Sequence, residues 1–338
     1  MRAMLLAAGL GTRLGELSAE RPKPLLPMAD IPILRYGLAL CRGHGIREVV
    51  INLHHHGEQI MAALADAEQA FGTTLRWSHE PVILGTGGGI RQAADWLTRG
   101  GQEPFLVMNG KLVTDIDLAA VQARHRASGA VATMVVREVP DAERWGAVDL
   151  DAEDRVLRII NKGGAGGEGP PVPVARRTMF TGVHVLSPRV VEYLPEGESC
   201  IIRQGYLRAL ADGLLVAGLR YDGYFQEHST PERYLQGNFA VVRGAARLRH
   251  APGPLQGVDP AAELGPAVRL VGAHRVAAGA RVGAGAIVGP DVVVGAGAQV
   301  APGVRLERVV IWPGAKVDGD VADAIVTPRG VFPVPGVI

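Results

Sequence analysis

The chain has 338 residues, 47% hydrophobic and 20% charged, which suggests about two domains and room for a sizeable core. Thirty-five Lys and Arg stand against 34 Asp and Glu, a formal net charge of +1, so neither a strongly basic nucleic-acid binder nor a polybasic membrane-surface protein is expected. Two cysteines, Cys41 and Cys200, make no disulfide framework, no apolar run approaches the ~18 residues that span a bilayer, and the apolar start breaks at Gly9 without an Ala-x-Ala site, so an unexported, cytoplasmic protein is expected.

Residues 3–8 form an apolar run that ends in glycines. The spacing predicts a helix over 31–44, with Ile33, Leu34, Leu38 and Cys41 on one side, and a buried strand over 48–53. Residues 58–71 predict one helix with Ile60, Leu64, Ala67 and Phe71 as its apolar stripe. A strand over 105–108 and a helix over 118–128 follow. This alternation predicts an α/β domain with a doubly wound, mostly parallel sheet. Ligands in such sheets lie beyond the carboxyl ends of the strands, which puts loops at 9–13, 85–89 and 109–115 on the functional edge. Strands over 130–219 are less regular, 163–169 is a glycine-rich loop, and 230–242 predicts a closing helix. The expected organisation is a domain over 1–245, a linker rich in Pro and Gly over 246–256, and a second domain over 257–338.

The second domain has its own period. Val258, Leu264, Leu270, Val276, Val282, Val288, Val294, Val300 and Leu306 recur every six residues, with Gly265, Gly283, Gly289 and Gly295 each next in line. A triangular prism of very short strands satisfies this pattern, with one aliphatic inward on each side and small residues at the corners. Eighteen residues then make one coil, and the tail from 317 caps the last one. Val309-Val310-Ile311-Trp312 either fills the last coil or forms a subunit contact.

Gly9-Leu10-Gly11-Thr12-Arg13 follows the first apolar run directly. A glycine-rich turn after a strand lets main-chain N–H groups approach phosphate oxygens. Arg13 adds a fork-shaped cation, and the prolines of Arg21-Pro22-Lys23-Pro24 stiffen the chain around a second. A dinucleotide fold would instead place a third glycine at the start of a helix.

With both elements at this spacing, the chain resembles the sugar-1-phosphate nucleotidyltransferases. Leu84-Gly85-Thr86-Gly87-Gly88-Gly89 is similar to that family's base-contacting loop, and the stretch from Met179 to Pro188 to its sugar-contacting strand. A catalytic domain followed by a repeat domain resembles mannose-1-phosphate guanylyltransferases. The six-residue repeat resembles a left-handed β-helix, and the handedness comes from that resemblance alone. The resemblance implies nucleotide contacts from Leu6, Ala8, Gly9, Gly11, Thr12, Arg13, Lys23, Gly85, Thr86, Gly87 and Asn109, with Arg13 and Lys23 catalytic. It implies sugar-phosphate contacts from Gly146, Lys162 and Thr181. The implied partners are a nucleoside triphosphate, with GTP expected, and a sugar-1-phosphate, with mannose-1-phosphate expected. A homo-oligomer is also implied.

The family's cofactor is Mg²⁺, held by the Asp of Asn-Gly-Asp and by a second Asp in a late Asp-x-Gly-Thr-Pro. Here these runs are Asn109-Gly110-Lys111 and Glu227-His228-Ser229-Thr230-Pro231, and Asn161-Lys162-Gly163 stands where Glu-Lys-Pro is usual. An ammonium ligates no cation, and at ~4 Å with an effective dielectric near 20 it repels a dication by several kcal/mol. Lys111 and Glu227 are therefore expected to pair across the former metal position. Two consequences stand open: metal-independent turnover, or ligand binding in a catalytically silent regulatory protein.

Other polar residues have plainer readings. Asp117 caps the helix over 118–128. His54-His55-His56 forms a surface turn, since consecutive histidines diverge and no acidic or Cys partner has ligand spacing. Glu80 either hydrogen-bonds near the base loop or is solvated. His274 sits in the repeat domain, where a hexapeptide acyltransferase would use a His, but no long inserted loop accompanies it.

Overall fold

A computed structural model describes residues 1–160 and 173–336, with Ile160 described by its backbone only. The expected glycine-rich loop at 163–169 lies outside the described residues. The chain divides into two compact units, one of Met1–Leu10, Gly37–Gly110 and Ile116–Phe225, the other of Gly11–Tyr36, Lys111–Asp115 and Gln226–Ile338. The division does not follow the expected linker: 246–256 carries no strand or helix and lies inside the second unit.

The first unit is built on a nine-stranded sheet. Thr74–His79, Glu48–Leu53, Ala3–Leu6 and Phe105–Asn109 lie side by side and parallel. Strands made of apolar, β-branched runs such as Val49-Val50-Ile51 suit burial on both faces. The sheet is not parallel throughout. The long strand Arg176–Leu186 runs antiparallel to Phe105–Asn109, Ala132–Arg137 and Ala147–Leu150, and Val156–Ile160 is antiparallel to Ala147–Leu150. Eleven residues give this strand the reach to serve three neighbours at once. One buried cluster joins Met4, Val50 and Val107 of the sheet to Ile90, Ala94 and Leu97 of the helix Gly85–Leu97.

Three expectations change here. The helix over 58–71 is two short helices, Gly57–Ala63 and Ala67–Phe71. Ile60, Leu64, Ala67 and Phe71 are all buried as the stripe requires, because periodicity reports burial and not unbroken hydrogen bonding. The glycines at 85–89 are no loop, since they form the first turns of Gly85–Leu97. The loop at 109–115 contains the strand Leu112–Thr114.

In the second unit the strands from 257 onward pair in parallel at a constant interval. Gly257 aligns with Arg275, Glu263 with Arg281, Arg269 with Ile287 and Arg281 with Gln299, each 18 residues on. The interval narrows to 17 where Val292 aligns with Val309. Val276, Val282, Val288, Val294, Val300 and Leu306 fill one buried cluster. The first three repeats depart from the pattern: Val258 is half-buried, and Leu264 and Leu270 are exposed. These residues stand at the end of the ladder, where no preceding coil covers them. At the other end Val321–Thr327 continues the ladder and turns back antiparallel as Gly330–Pro333. Val309, Val310, Ile311 and Trp312 are all fully buried; Val309 and Ile311 belong to that cluster, whereas Trp312 lies outside it and hydrogen-bonds Tyr234.

Candidate functional site

In the first unit the carboxyl end of Ala3–Leu6 leads into buried Ala7 and Ala8 and then exposed Gly9. A buried polar relay fixes this exit. Ala7 N–H donates to Asn52 Oδ1 at 2.7 Å, Asn52 Nδ2 donates to Glu80 Oε1 at 2.7 Å, and Glu80 Oε2 accepts from Leu84 N–H at 3.0 Å. Glu80 is 4% exposed, so it is the hydrogen-bonded carboxylate of the two expected alternatives. The relay pins the start of Gly85–Leu97 relative to the end of the first strand.

The glycines of that helix are explained by close approach. A Cβ on Gly89 would lie 2.7 Å from Glu80 Oε1, and one on Gly87 would lie 2.7 Å from Ser199 Oγ. The backbone amide of Gly87 donates to Ser199 O at 2.8 Å, and Thr86 Oγ1 accepts from Ile201 N–H at 3.1 Å. Thr86 and Gly87 are thus latched to 199–201, while Gly85 holds the left-handed conformation only glycine adopts freely. Asn109 ends its strand, and its Nδ2 would lie 2.1 Å from a Cβ on Gly182. Thr181 is buried and donates its hydroxyl to Val135 O at 2.8 Å, so that proton is committed to the sheet. Gly146 ends the short helix Ala142–Trp145 at φ 88°. Lys162 lies outside the described residues.

In the second unit Gly11 is left-handed at φ 73° and opens a 3₁₀ turn, Thr12–Leu14. A Cβ on Gly11 would lie 3.7 Å from Lys23 Cβ and 3.8 Å from Lys23 Cε, so the turn and the lysine lie together as the sequence implied. Lys23 opens a second 3₁₀ turn, with Pro22 before it and Pro24 within it. Burial, then the nearby Lys111 and Arg13, lower the Lys23 ammonium to about 8, with Glu227 opposing. Lys23, Lys111 and Arg13 therefore lie together near one carboxylate, Glu227.

That carboxylate is fully occupied. Lys111 Nζ sits 2.5 Å from Glu227 Oε2, which is the expected ion pair. Ser229 Oγ donates to Glu227 Oε1 at 2.6 Å, and Arg233 Nη1 lies 3.3 Å from the same oxygen. Burial opposes the charge on Glu227, yet Lys111 and the hydrogen bonds from Lys111 and Ser229 hold it at about 2. The backbone amide and Nδ1 of His228 both donate to Lys111 O, at 3.3 and 3.2 Å. Burial pushes His228 down to about 4, so it is a neutral donor at pH 7.

Magnesium needs several hard oxygens in near-octahedral array. The position between Lys111 and Glu227 offers one carboxylate, both of whose oxygens already accept from donors, and it faces an ammonium. These residues do not fit the ion. Among the described residues no group of three or more His, Cys, Asp or Glu could hold a metal. Asp117 is the helix cap, accepting from Ala119 and Ala120 N–H. His54 Nδ1 bonds Glu80 O, and His274 Nδ1 bonds Gly272 O.

Sequence reasoning missed Asn52, Ser229 and Arg233. Asn52 carried a faint signal as the polar residue inside an apolar strand. Arg233 lies six residues after Glu227, in the first turn of Pro231–Val242, where Thr230 caps the helix.

Comparison with known proteins supplies the family. The model of the family described as "Nucleotidyl transferase" matches residues 2–201. A mannose-1-phosphate guanylyltransferase of Mycobacterium tuberculosis is 32% identical over 246 residues, 72% of this chain and 65% of that protein. A UTP–glucose-1-phosphate uridylyltransferase of Synechocystis is 31% identical over 59% of this chain and 52% of that protein. The chain thus spans about half to two thirds of the length of these relatives. The crystal structure of HddC from Yersinia pseudotuberculosis complexed with GMP-PN shares the fold, with TM-score 0.57 and 22% identity over 70% of this chain and 97% of that one.

Proposed function

The chain belongs to the sugar-1-phosphate nucleotidyltransferases of the nucleotidyl transferase family, and from that premise we propose that it joins a nucleoside triphosphate to a sugar-1-phosphate, giving a nucleotide sugar and pyrophosphate. GTP and mannose-1-phosphate are our reading of the pair, supported by the guanylyltransferases among the relatives, although a uridylyltransferase stands beside them. The repeat domain, in this reading, is a left-handed β-helix: the 18-residue parallel register supports the coil, and the handedness rests on the family resemblance.

One observation carries the proposal: Lys23 packs against the glycine turn at Gly11 that leads into Arg13, and Lys111 stands at the former metal position against Glu227. Such an excess of fixed positive charge suits a polyphosphate. The sugar phosphate oxygen attacks the α-phosphorus, a P–O bond forms, and the bond to the bridging oxygen breaks. Pyrophosphate leaves with the electron pair. The protein's part is positioning and charge neutralisation. Glu227 keeps Ser229 and Arg233 if the Lys111 ammonium turns to a phosphate oxygen, so the exchange strands no buried carboxylate. Lys111 is then a tethered cation in the role the family gives to a metal.

The same ion pair supports a second reading, a ligand-sensing protein that binds nucleotide and does not turn it over. Pyrophosphate release and nucleotide binding, measured over a panel of triphosphates and sugar phosphates in EDTA and in Mg²⁺, separate the two. The first expects release in EDTA; the second expects binding alone. Lys111→Asp should make binding and turnover Mg²⁺-dependent. An unchanged response to the metal would sink the assignment of Lys111. Nothing in the site supports acyl transfer.

A further inference from the structure

The segment that carries Lys23 is held by the C-terminal ladder through buried polar contacts. Four residues after Lys23 the chain enters a hairpin, Pro27–Met28 against Ile31–Pro32, whose turn residues Ala29 and Asp30 are both left-handed, at φ 47° and 73°. Non-glycine residues take that conformation at a cost of roughly 1–2 kcal/mol each, so neighbours must enforce it. They do. Trp312 Nε1 donates to Tyr234 Oη at 3.1 Å, and Tyr234 Oη donates to Pro27 O at 2.5 Å. Asn238 Oδ1 accepts from Ala29 N–H at 2.8 Å, and Asp30 Oδ1 accepts from Ala296 N–H at 3.0 Å. The Arg21 guanidinium lies 5.4 Å from the centre of the Trp312 ring. Trp312, Tyr234 and Asn238 are wholly buried.

We propose that Trp312 and Tyr234 are positioning residues for Lys23: the repeat domain braces the phosphate-binding turn and thereby sets its affinity for nucleotide. Arg21 and Pro27 flank Lys23 on either side, and each meets the Trp312–Tyr234 pair. A buried hydrogen-bonded chain has few alternative arrangements, so it fixes the loop more tightly than apolar packing would. The proposal rests on the reading that Lys23 holds phosphate.

The test uses the full chain with lysines labelled with ¹³C at Cε. Trp312→Phe removes the N–H and keeps a ring, while Tyr234→Phe removes both hydrogen bonds of the hydroxyl. In each variant the Lys23 midpoint should move up from about 8 as the segment gains water. The Kd for GTP in EDTA should rise about five-fold, the effect of one lost hydrogen bond. Leu306→Ala is the control: it weakens the same ladder without touching the chain of hydrogen bonds, and should lower stability with the Lys23 midpoint unmoved. If the two Phe variants behave like Leu306→Ala, the brace is wrong. If Lys23→Met binds GTP as tightly as the parent, the phosphate reading is wrong, and the Lys23 midpoint in the Phe variants still decides the brace.

Discussion

Lys23 and Glu227 both titrate well below their usual ranges: burial and neighbouring cations act together on the ammonium, whereas on the carboxylate the cations and hydrogen bonds overcome burial. Burial and the neighbouring Lys111 and Arg13 lower Lys23 to about 8, so the free protein loses this positive charge as pH rises through that value. Nucleotide affinity should fall above pH 8, by at most about ten-fold per pH unit. Lys23→Arg, whose guanidinium stays charged, should flatten that profile in a binding titration from pH 7 to 9.5. Glu227 is held at about 2, below its ordinary 4.5, so its contribution to stability is complete above pH 4.5 and is lost as pH falls toward 2. Glu227→Gln strands Lys111 and should cost roughly 3 kcal/mol at pH 7 by urea denaturation. The gap to the parent should close as the pH is taken down through that window. An equal loss at pH 3 would assign the effect to packing instead.

Among the elements, the helix Gly85–Leu97 owes its start to tertiary contacts. Glycines at 87, 88 and 89 have low helix propensity, about 1 kcal/mol each below alanine, yet they are helical because 197–201 and Glu80 leave no space for a Cβ. Gly89→Ala should therefore destabilise by about 1–3 kcal/mol although it raises intrinsic helicity. Gain of stability in chemical denaturation would show that the Glu80–Asn52 relay yields easily. The same principle explains the misjudged loop. A run of glycines reads as a turn from sequence, since the atoms that crowd them, at Ser199 and Gly197, are more than a hundred positions away. The helix over 118–128 was legible, because its cap Asp117 and left-handed Gly129 are local signals.

At the scale of the whole molecule, the repeat domain tests how far period predicts burial. Leu306 is wholly buried and Leu270 is 36% exposed, though the six-residue period treats them alike. Leu306→Ala should cost about 2–5 kcal/mol and Leu270→Ala no more than about 0.5 kcal/mol. Comparable losses would mean that the first coil is covered in solution. No described helix is long and apolar enough to cross a membrane. The sequence by itself determined the α/β alternation and the 18-residue register, which rest on spacing, and the resemblance of its motifs implied the family and the pairing of Lys111 with Glu227 at the two metal positions. Only the tertiary structure decided that Gly85 to Gly89 begin a helix, that Thr181 gives its hydroxyl to Val135, and that Trp312 reaches Pro27 through Tyr234. Those facts depend on which distant atoms compete for the same space and the same lone pairs, and no local pattern in the chain records that competition.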